Sequence, residues 1–593
     1  MAGLTNYIAF VDPETGLDRI GHLDIEQDTI QPLSFHSGTP VKNLYQVIEV
    51  GSRNVITNAG SAIPVSSVKI LPPLSGRDVL AVGKNYTEHA KEFNSSGYDS
   101  SDKVDLPSHP VIFTKRATSI IAHGEEIQLH EDFTSTADYE GEIGVIIGKA
   151  GLRIEQEKAW EYVWGYTIIN DMTAREKQRD HKQFFLGKSA DTYCPMGPIA
   201  VPKEALPQTL RVQTHVNGEP RQDATTSDLI FPIPQLLAVI SQGQTLQPGD
   251  VLATGTPAGV GIGKQPPVFL KAGDEISISV TGLSTLRNRI SQRATSNISR
   301  FRSSPPSAFE LTNSARTAGA TNLTDMINGK PMSYQKRGSG SDENMIFVHG
   351  LGGTKEYWTP LISTLSLSDL ANLHLYDLEG HGLSPTHPLS QITIDSLAVD
   401  LSAISRVAGI WPSRPATFFA HSMGCLIALK FTLDNPGLVK RLILLGPPPL
   451  AIPKTMRNIF HSRAAQVRKK GMSGIVDDVI SRGFSLSSLA HDPIGVAAAR
   501  LSLIGQDPEG YAKGCQALAD APNLNVEDLQ KLDVSVTLII TGQDDTYSTP
   551  AVCQVYKEMI RNSRVETLDN VGHWHIFEDA VGIAAVVKQV LAE

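Results

Sequence analysis

The chain has 593 residues, more than one ordinary core accommodates, and its 41% hydrophobic and 19% charged content is that of a globular protein in water. The net charge of −10 comes without any basic stripe, which argues against a nucleic-acid binder and reads as plain solubility. Four scattered cysteines, no signal-like N-terminal segment and no run of about 18 apolar residues argue against a disulfide scaffold, a structural zinc site and a membrane span, so a cytoplasmic protein is expected.

Residues 1–72 read as a small β-rich lead-in, with Asp12-Pro13-Glu14-Thr15-Gly16 as a turn between two apolar runs. A glycine-rich region of strands, including 144–147 and 276–280, continues to residue 290 with few long helical periods, so 73–290 is expected to be mainly β. Residues 291–320 are rich in Ser, Thr, Arg and Ala, are broken by Pro305-Pro306, and read as an interdomain linker. From 321 to 593 the pattern is α/β. Apolar runs at 345–348, 416–419, 442–445 and 536–540 are predicted as buried parallel strands with helical patterns between them. No internal repeat relates the halves, so two unrelated folds are expected.

In the first half, Asp138-Tyr139-Glu140-Gly141-Glu142 runs into an apolar strand. Residues two apart on a strand share a face, so Glu140 and Glu142 either present two carboxylates to one site or are two exposed strand acids. A cation would relieve the repulsion in the first case. A second predicted strand, 166–170, is followed by Asp171, which can complete a three-oxygen set suited to Mg²⁺ or Mn²⁺, with Ca²⁺ also accommodated. Lys188 then either holds an anionic oxygen beside the metal or is a surface lysine. His89 and Glu92, three apart, share one face of a short helix, where the carboxylate can orient the imidazole as a base.

The ordered set Val82-Gly83-Lys84-Asn85-Tyr86 with His89 and Glu92, then DYEGEIGVIIGK, NDMTARE, GKSADTYCPMGP and ATGTPAGVG, resembles the fumarylacetoacetate hydrolase family over about residues 75–290. The resemblance implies a β-rich roll that dimerises, with Glu140, Glu142 and Asp171 as metal ligands. It also implies Lys188 and Thr256 as substrate contacts, joined by Lys84, Tyr86 and Arg175, and His89 with Glu92 as an acid/base pair. The chemistry served is metal-supported C–C cleavage, decarboxylation or enol isomerisation of an oxo acid. Lys84 stands where the family often has arginine, and a lysine cannot grip a carboxylate bidentately.

In the second half, Ala420-His421-Ser422-Met423-Gly424 lies between a predicted strand and a helical run, the context of a nucleophile elbow. Asp545, in Gly542-Gln543-Asp544-Asp545, is preferred over Asp544 as the acid, and His573 over His575 as the base. Ser422, Asp545 and His573 then form a triad in α/β-hydrolase order. Backbone N–H groups of Leu351, in His349-Gly350-Leu351-Gly352-Gly353, and of Met423 are the expected oxyanion donors. His349 and His381 are expected to be structural. Residues 323–593 resemble the α/β-hydrolase superfamily, and the segment from Gln506 to Leu518 resembles that of 3-oxoadipate enol-lactonases. This implies an α/β-hydrolase fold with a helical cap over about 450–530, acting on an ester or lactone. The whole reads as a bifunctional hydrolase; the alternative is one catalytic half and one dimerisation or binding scaffold.

Overall fold

The computed structural model describes residues 4–57, 62–96, 107–292, 324–338 and 343–592. The segment read as a linker lies outside the described residues beyond residue 292. The chain divides into two compact units.

In the first unit, β1 (Tyr7–Val11), β2 (Asp18–Asp24) and β3 (Thr29–Phe35) form an antiparallel meander. Its first turn is held by Asp12 Oδ1, which accepts from the amides of Glu14 and Thr15 at 2.9 and 3.1 Å. There follow β4 (Val79–Gly83), helix α1 (Thr87–Ser95), β5 (Val111–Lys115), β6 (Gly141–Ile147), β7 (Val163–Asn170), and the short helices α2 (Arg175–His181) and α3 (Phe184–Lys188). Then come β8 (Ile199–Pro202), β9 (Arg211–Val216), β10 (Glu219–Thr225), β11 (Val251–Ala253), β12 (Glu275–Val280) and β13 (Thr285–Ile290).

The main sheet runs β3-β2-β1-β8-β7-β6-β11-β4-β5, so the strands of residues 1–72 share it with those of the following segment. A second sheet contains β13-β12-β9-β10. Every residue of β6 is buried, which is why its sequence is glycine, isoleucine and valine with no polar alternation beyond Glu142. A Cβ on Gly141 would stand 2.1 Å from Thr214 Oγ1, so β6 passes β9 at a separation that only glycine permits. The core between the sheets includes Ile143, Val145, Ile168, Val212, Ile278 and Leu286.

The second unit contains β14 (Tyr334–Arg337), β15 (Asn344–Val348), β16 (Asn372–Tyr376), α4 (Ile394–Val407), β17 (Ala416–His421), α5 (Met423–Asp434) and β18 (Val439–Leu445). Helices α6 (Lys454–Lys470), α7 (Val476–Gly483) and α8 (Pro508–Ala519) lie in the insertion before β19 (Val536–Gly542), β20 (Ser563–Leu568) and α9 (His575–Leu591). The sheet order is β14-β16-β15-β17-β18-β19-β20, parallel except for β14. Thr393 and Ser396 cap α4 reciprocally, at 3.0 and 2.9 Å. Helix α5 is apolar nearly all round because it is buried nearly all round. All four cysteines are free and buried. Among the described residues no helix is long and apolar enough to cross a membrane.

Candidate active sites

Glu140 stands just before β6, Glu142 is its second residue, and Asp171 follows the last residue of β7. Antiparallel pairing sets Gly141 opposite Asn170, and the Asp171 amide donates to the Glu140 carbonyl at 2.8 Å. One carboxylate oxygen from each acid lies within 4.8 Å of the others, and all three residues are buried. Lys188, at the end of α3, donates to Glu140 Oε2 at 2.7 Å and to Asp171 Oδ2 at 2.6 Å. Lys115, the last residue of β5, donates to Asp171 Oδ1 at 2.5 Å and to the Lys188 carbonyl. Arg175 pairs with Glu140 Oε1 at 2.6 Å and donates from Nε to Asp138 Oδ2 at 2.9 Å.

Four buried carboxylates (Asp138, Glu140, Glu142 and Asp171) thus face three buried cations. Burial alone would raise the Glu140 carboxyl, but Lys188, Arg175 and His89 outweigh it and hold the group well below the usual carboxylate range. Glu142 goes the other way. Burial raises it, Asp171 and Glu140 add to the rise, and the Gly255 amide at 2.8 Å offsets only part. An all-oxygen donor set of three adjoining carboxylates fits a hard divalent cation such as Mg²⁺ or Mn²⁺.

Helix α1 places His89 and Glu92 one turn apart, with His89 Nδ1 3.2 Å from Glu92 Oε2. The Gly259 amide also donates to Glu92, at 3.1 Å, which fixes the carboxylate against the imidazole. With Nδ1 engaged, Nε2 is the nitrogen left for a ligand. His89, Glu140, Lys188, Lys84 and Thr256 line one cavity.

In the second unit, Ser422 Oγ is 2.8 Å from His573 Nε2, and His573 Nδ1 is 2.8 Å from Asp545 Oδ2. Asp545 Oδ1 accepts from the amides of Tyr547 and Ser548, each at 2.8 Å. Burial would raise the Asp545 carboxyl, yet His573 and His575 hold it well below its ordinary range. His575 Nε2 stands 3.2 Å from the same Oδ2, off the line of a hydrogen bond. Asp544 is exposed.

Ser422 has φ 51° and ψ −122°, a strained turn between β17 and α5 that lifts Oγ clear of the backbone. The turn fits because its neighbours are glycines: a Cβ on Gly424 would meet the Val348 carbonyl oxygen at 2.5 Å, and one on Gly350 would meet Ser422 Cβ at 2.8 Å. The loop carrying Leu351 is therefore pressed against the elbow, and Leu351 lines the same cavity as Ser422. Met423 is the first residue of α5, so its amide has no acceptor within the helix.

Residues 78–291 match the fumarylacetoacetate hydrolase C-terminal family, and residues 345–586 the alpha/beta hydrolase family. The oxaloacetate tautomerase YisK of Bacillus subtilis (strain 168) is 48% identical over 230 residues, 38% of this chain and 74% of that protein. The chain belongs to the fumarylacetoacetate hydrolase family, with an α/β-hydrolase in its second half. An uncharacterized protein of Staphylococcus aureus (strain USA300) is 42% identical over 233 residues, 39% of this chain and 74% of that one. Among solved structures, a fumarylacetoacetate hydrolase from Exiguobacterium antarcticum is 37% identical, covering 49% of this chain and all (100%) of that one, at a TM-score of 0.40.

Arg175 lines the same cavity while its side chain pairs with Asp138 and Glu140, so it also positions Glu140. Tyr86 is buried and falls outside the cavity lining. Lys84 does line the cavity and donates to Asn94 Oδ1 at 3.1 Å. Thr256 lines it too, with its hydroxyl donating to the Gly141 carbonyl at 3.0 Å and accepting from Gln222 at 2.7 Å.

Sequence reasoning passed over Lys115 and Asp138. Lys115 ends the apolar run VIFTK, and a lysine there is a legible signal for a buried partner. Asp138 opens the motif that supplied Glu140 and Glu142; its carboxylate accepts from Gly261 and Ile262 amides at 2.7 and 3.1 Å besides Arg175. His349 and His381 are buried, with burial lowering both imidazoles, His381 to about 3, so both are neutral packing groups.

Proposed function

We propose that the chain carries two enzymes, a metal-supported activity on 2-oxo acids and a serine-dependent hydrolase of esters or enol-lactones. The observation that carries the first reading is the His89–Glu92 pair lining one cavity with Lys188 and Glu140. Glu140, Glu142 and Asp171 would hold a divalent cation, whose Lewis acidity toward a 2-oxo acid acidifies the neighbouring C–H. Glu92 orients His89 through Nδ1, and His89 Nε2 takes the proton from the carbon beside the carbonyl. Lys188 Nζ offers hydrogen bonds to the oxygen on which charge develops. Returning the proton to that oxygen completes a keto–enol tautomerisation, the activity by which the Bacillus subtilis relative is named. A second reading, cleavage of a C–C bond, is favoured by the same pair, since an imidazole held by a carboxylate also activates water. That water would attack one carbonyl of an acylpyruvate, and the carbon fragment leaving as its enolate would collect a proton.

In the second unit, Ser422 Oγ adds to the ester carbonyl while His573 Nε2 takes its proton. The oxyanion is met by the Leu351 and Met423 amides, and the leaving oxygen departs with the proton from His573. Water then reverses these roles and frees the acid. Asp545 keeps the imidazole in the required tautomer. An ester or enol-lactone opened here supplies an acid that the first unit can take up, at a local concentration raised by their covalent connection.

The test is proton NMR of the full chain with oxaloacetate and with acetylpyruvate, in Mg²⁺ and then EDTA. Faster keto–enol exchange of oxaloacetate that EDTA abolishes, with no pyruvate formed, supports tautomerisation. Pyruvate and acetate from acetylpyruvate support C–C hydrolysis, and pyruvate from oxaloacetate supports decarboxylation. No turnover of either compound with Mg²⁺ or Mn²⁺ overturns the oxo-acid reading. For the second unit, covalent labelling by a fluorophosphonate, lost in Ser422→Ala, is the expected result.

A further inference from the structure

The cavity beside Ser422 is walled largely by apolar and aromatic side chains, including Met456, Phe460, Val479 and Trp574. Among its lining residues Arg463, on α6, is the one whose charge is permanent, and it is only 6% exposed. Its polar neighbours are phenols. Nη2 is 3.3 Å from the Tyr547 hydroxyl, Tyr511 lines the same cavity, and Cζ lies 5.6 Å from the Phe460 ring centroid. The carboxylate paired with it, Asp478, stands 3.5 Å away with a half-exposed side chain, and is held more closely by Arg482 at 2.6 Å.

A buried guanidinium is costly unless acceptors face it, and the Tyr547 hydroxyl and the long Asp478 contact, both on Nη2, satisfy only part of its five donors. The remaining partner is therefore to be sought in the cavity itself. The direction toward the chemistry is fixed as well, because Tyr547 bonds Arg463 while its ring lies 5.0 Å from that of His573.

We infer that Arg463 is an anion subsite of the serine site, taking the carboxylate of an ester or lactone whose scissile carbonyl lies at Ser422. This rests on reading Ser422 as the nucleophile. Tyr547 holds the fork, and the apolar wall receives the carbon chain between carboxylate and carbonyl.

The probes are two activated esters of equal chain length, mono(4-nitrophenyl) succinate and 4-nitrophenyl butanoate, given to the full chain. The wild type is expected to favour the succinate in kcat/KM. Arg463→Met is expected to lower the succinate-to-butanoate ratio about 100-fold. Arg463→Lys should lower it less, since a point charge replaces the fork without removing the cation. Labelling of Ser422 by an uncharged fluorophosphonate reports whether each variant keeps its triad assembled. A ratio unchanged in Arg463→Met, or a wild type with no preference for the succinate, overturns the subsite while labelling and butanoate hydrolysis leave the serine reading standing. Absence of both labelling and hydrolysis in the wild type overturns the serine reading, and the subsite falls with it.

Discussion

The two sites solve the same problem, placing a reactive group in a dry cavity, by opposite means. In the first unit the polar atoms are mostly charged and the acids crowd one another. Glu142 is the visible sign, raised by burial and by its acidic neighbours Asp171 and Glu140. In the second unit the catalytic groups satisfy one another, Ser422 to His573 to Asp545 to two backbone amides, and the elbow stores its strain in a single residue. One site is thus built from opposed buried charges and the other from a single line of hydrogen bonds. The difference follows from ligand chemistry: a metal takes over charge that the protein leaves exposed to it, whereas a triad must supply its own acid, base and tautomer.

Four experiments break or sharpen that contrast. Ser422→Ala should lower ester hydrolysis by about 10⁴-fold or more while oxo-acid turnover stays within about twofold; parallel loss of both would mean that the units do not work independently. Glu142→Gln removes one of the three adjoining carboxylates and should reduce oxo-acid turnover by about 10³-fold with ester hydrolysis spared, as should EDTA; full oxo-acid activity in the variant would sink the ligand assignment. Arg175→Met leaves Asp138 and Glu140 without their buried partner and should destabilise the first unit by about 3–5 kcal/mol in urea unfolding, against less than 1 kcal/mol for an exposed arginine.

The smallest effect concerns acid. His374 is buried, accepts at Nδ1 from the Tyr334 hydroxyl at 2.7 Å and faces Asn344 Oδ1 from Nε2 at 3.3 Å. Burial, with Lys336 and Arg414 nearby, lowers it from 6.5 to about 4. The unfolded chain therefore binds more protons than the folded one below pH 6.5. The penalty is absent above that pH, grows as pH falls, and is complete near pH 4, at about 3 kcal/mol. His374→Gln keeps both hydrogen bonds without titrating, so its unfolding midpoint should depend less on pH between 4 and 6.5 than that of the wild type. An identical pH profile would show that the imidazole is already protonated or unimportant.

Local pattern carried a great deal. Strand spacing and the acids themselves placed Glu140, Glu142 and Asp171 near one another, and strand–serine–helix context set Ser422 on an elbow. Chain order, strand-end context and resemblance pointed to Asp545 and His573, which the fold brings from β19 and the segment before α9 to one hydrogen-bonded line. The α/β pattern of the second half was plain because buried parallel strands leave unbroken apolar runs. The roles of single cations were less legible. The resemblance implied Arg175 as a substrate contact, and only the structure shows that it also pairs with Asp138, 37 residues away, and with Glu140. Lys115 carried a local signal in closing an apolar run, whereas nothing in the sequence around Arg463 marked it out.

The sequence by itself therefore determined the two architectures and singled out the candidate acids, the serine and its histidine, because local spacing, chain order and motif resemblance can be read along the chain. Only the tertiary structure decided which charge faces which. Salt bridges and cavity walls join residues tens to more than a hundred positions apart, and no local period records the distance across a folded core.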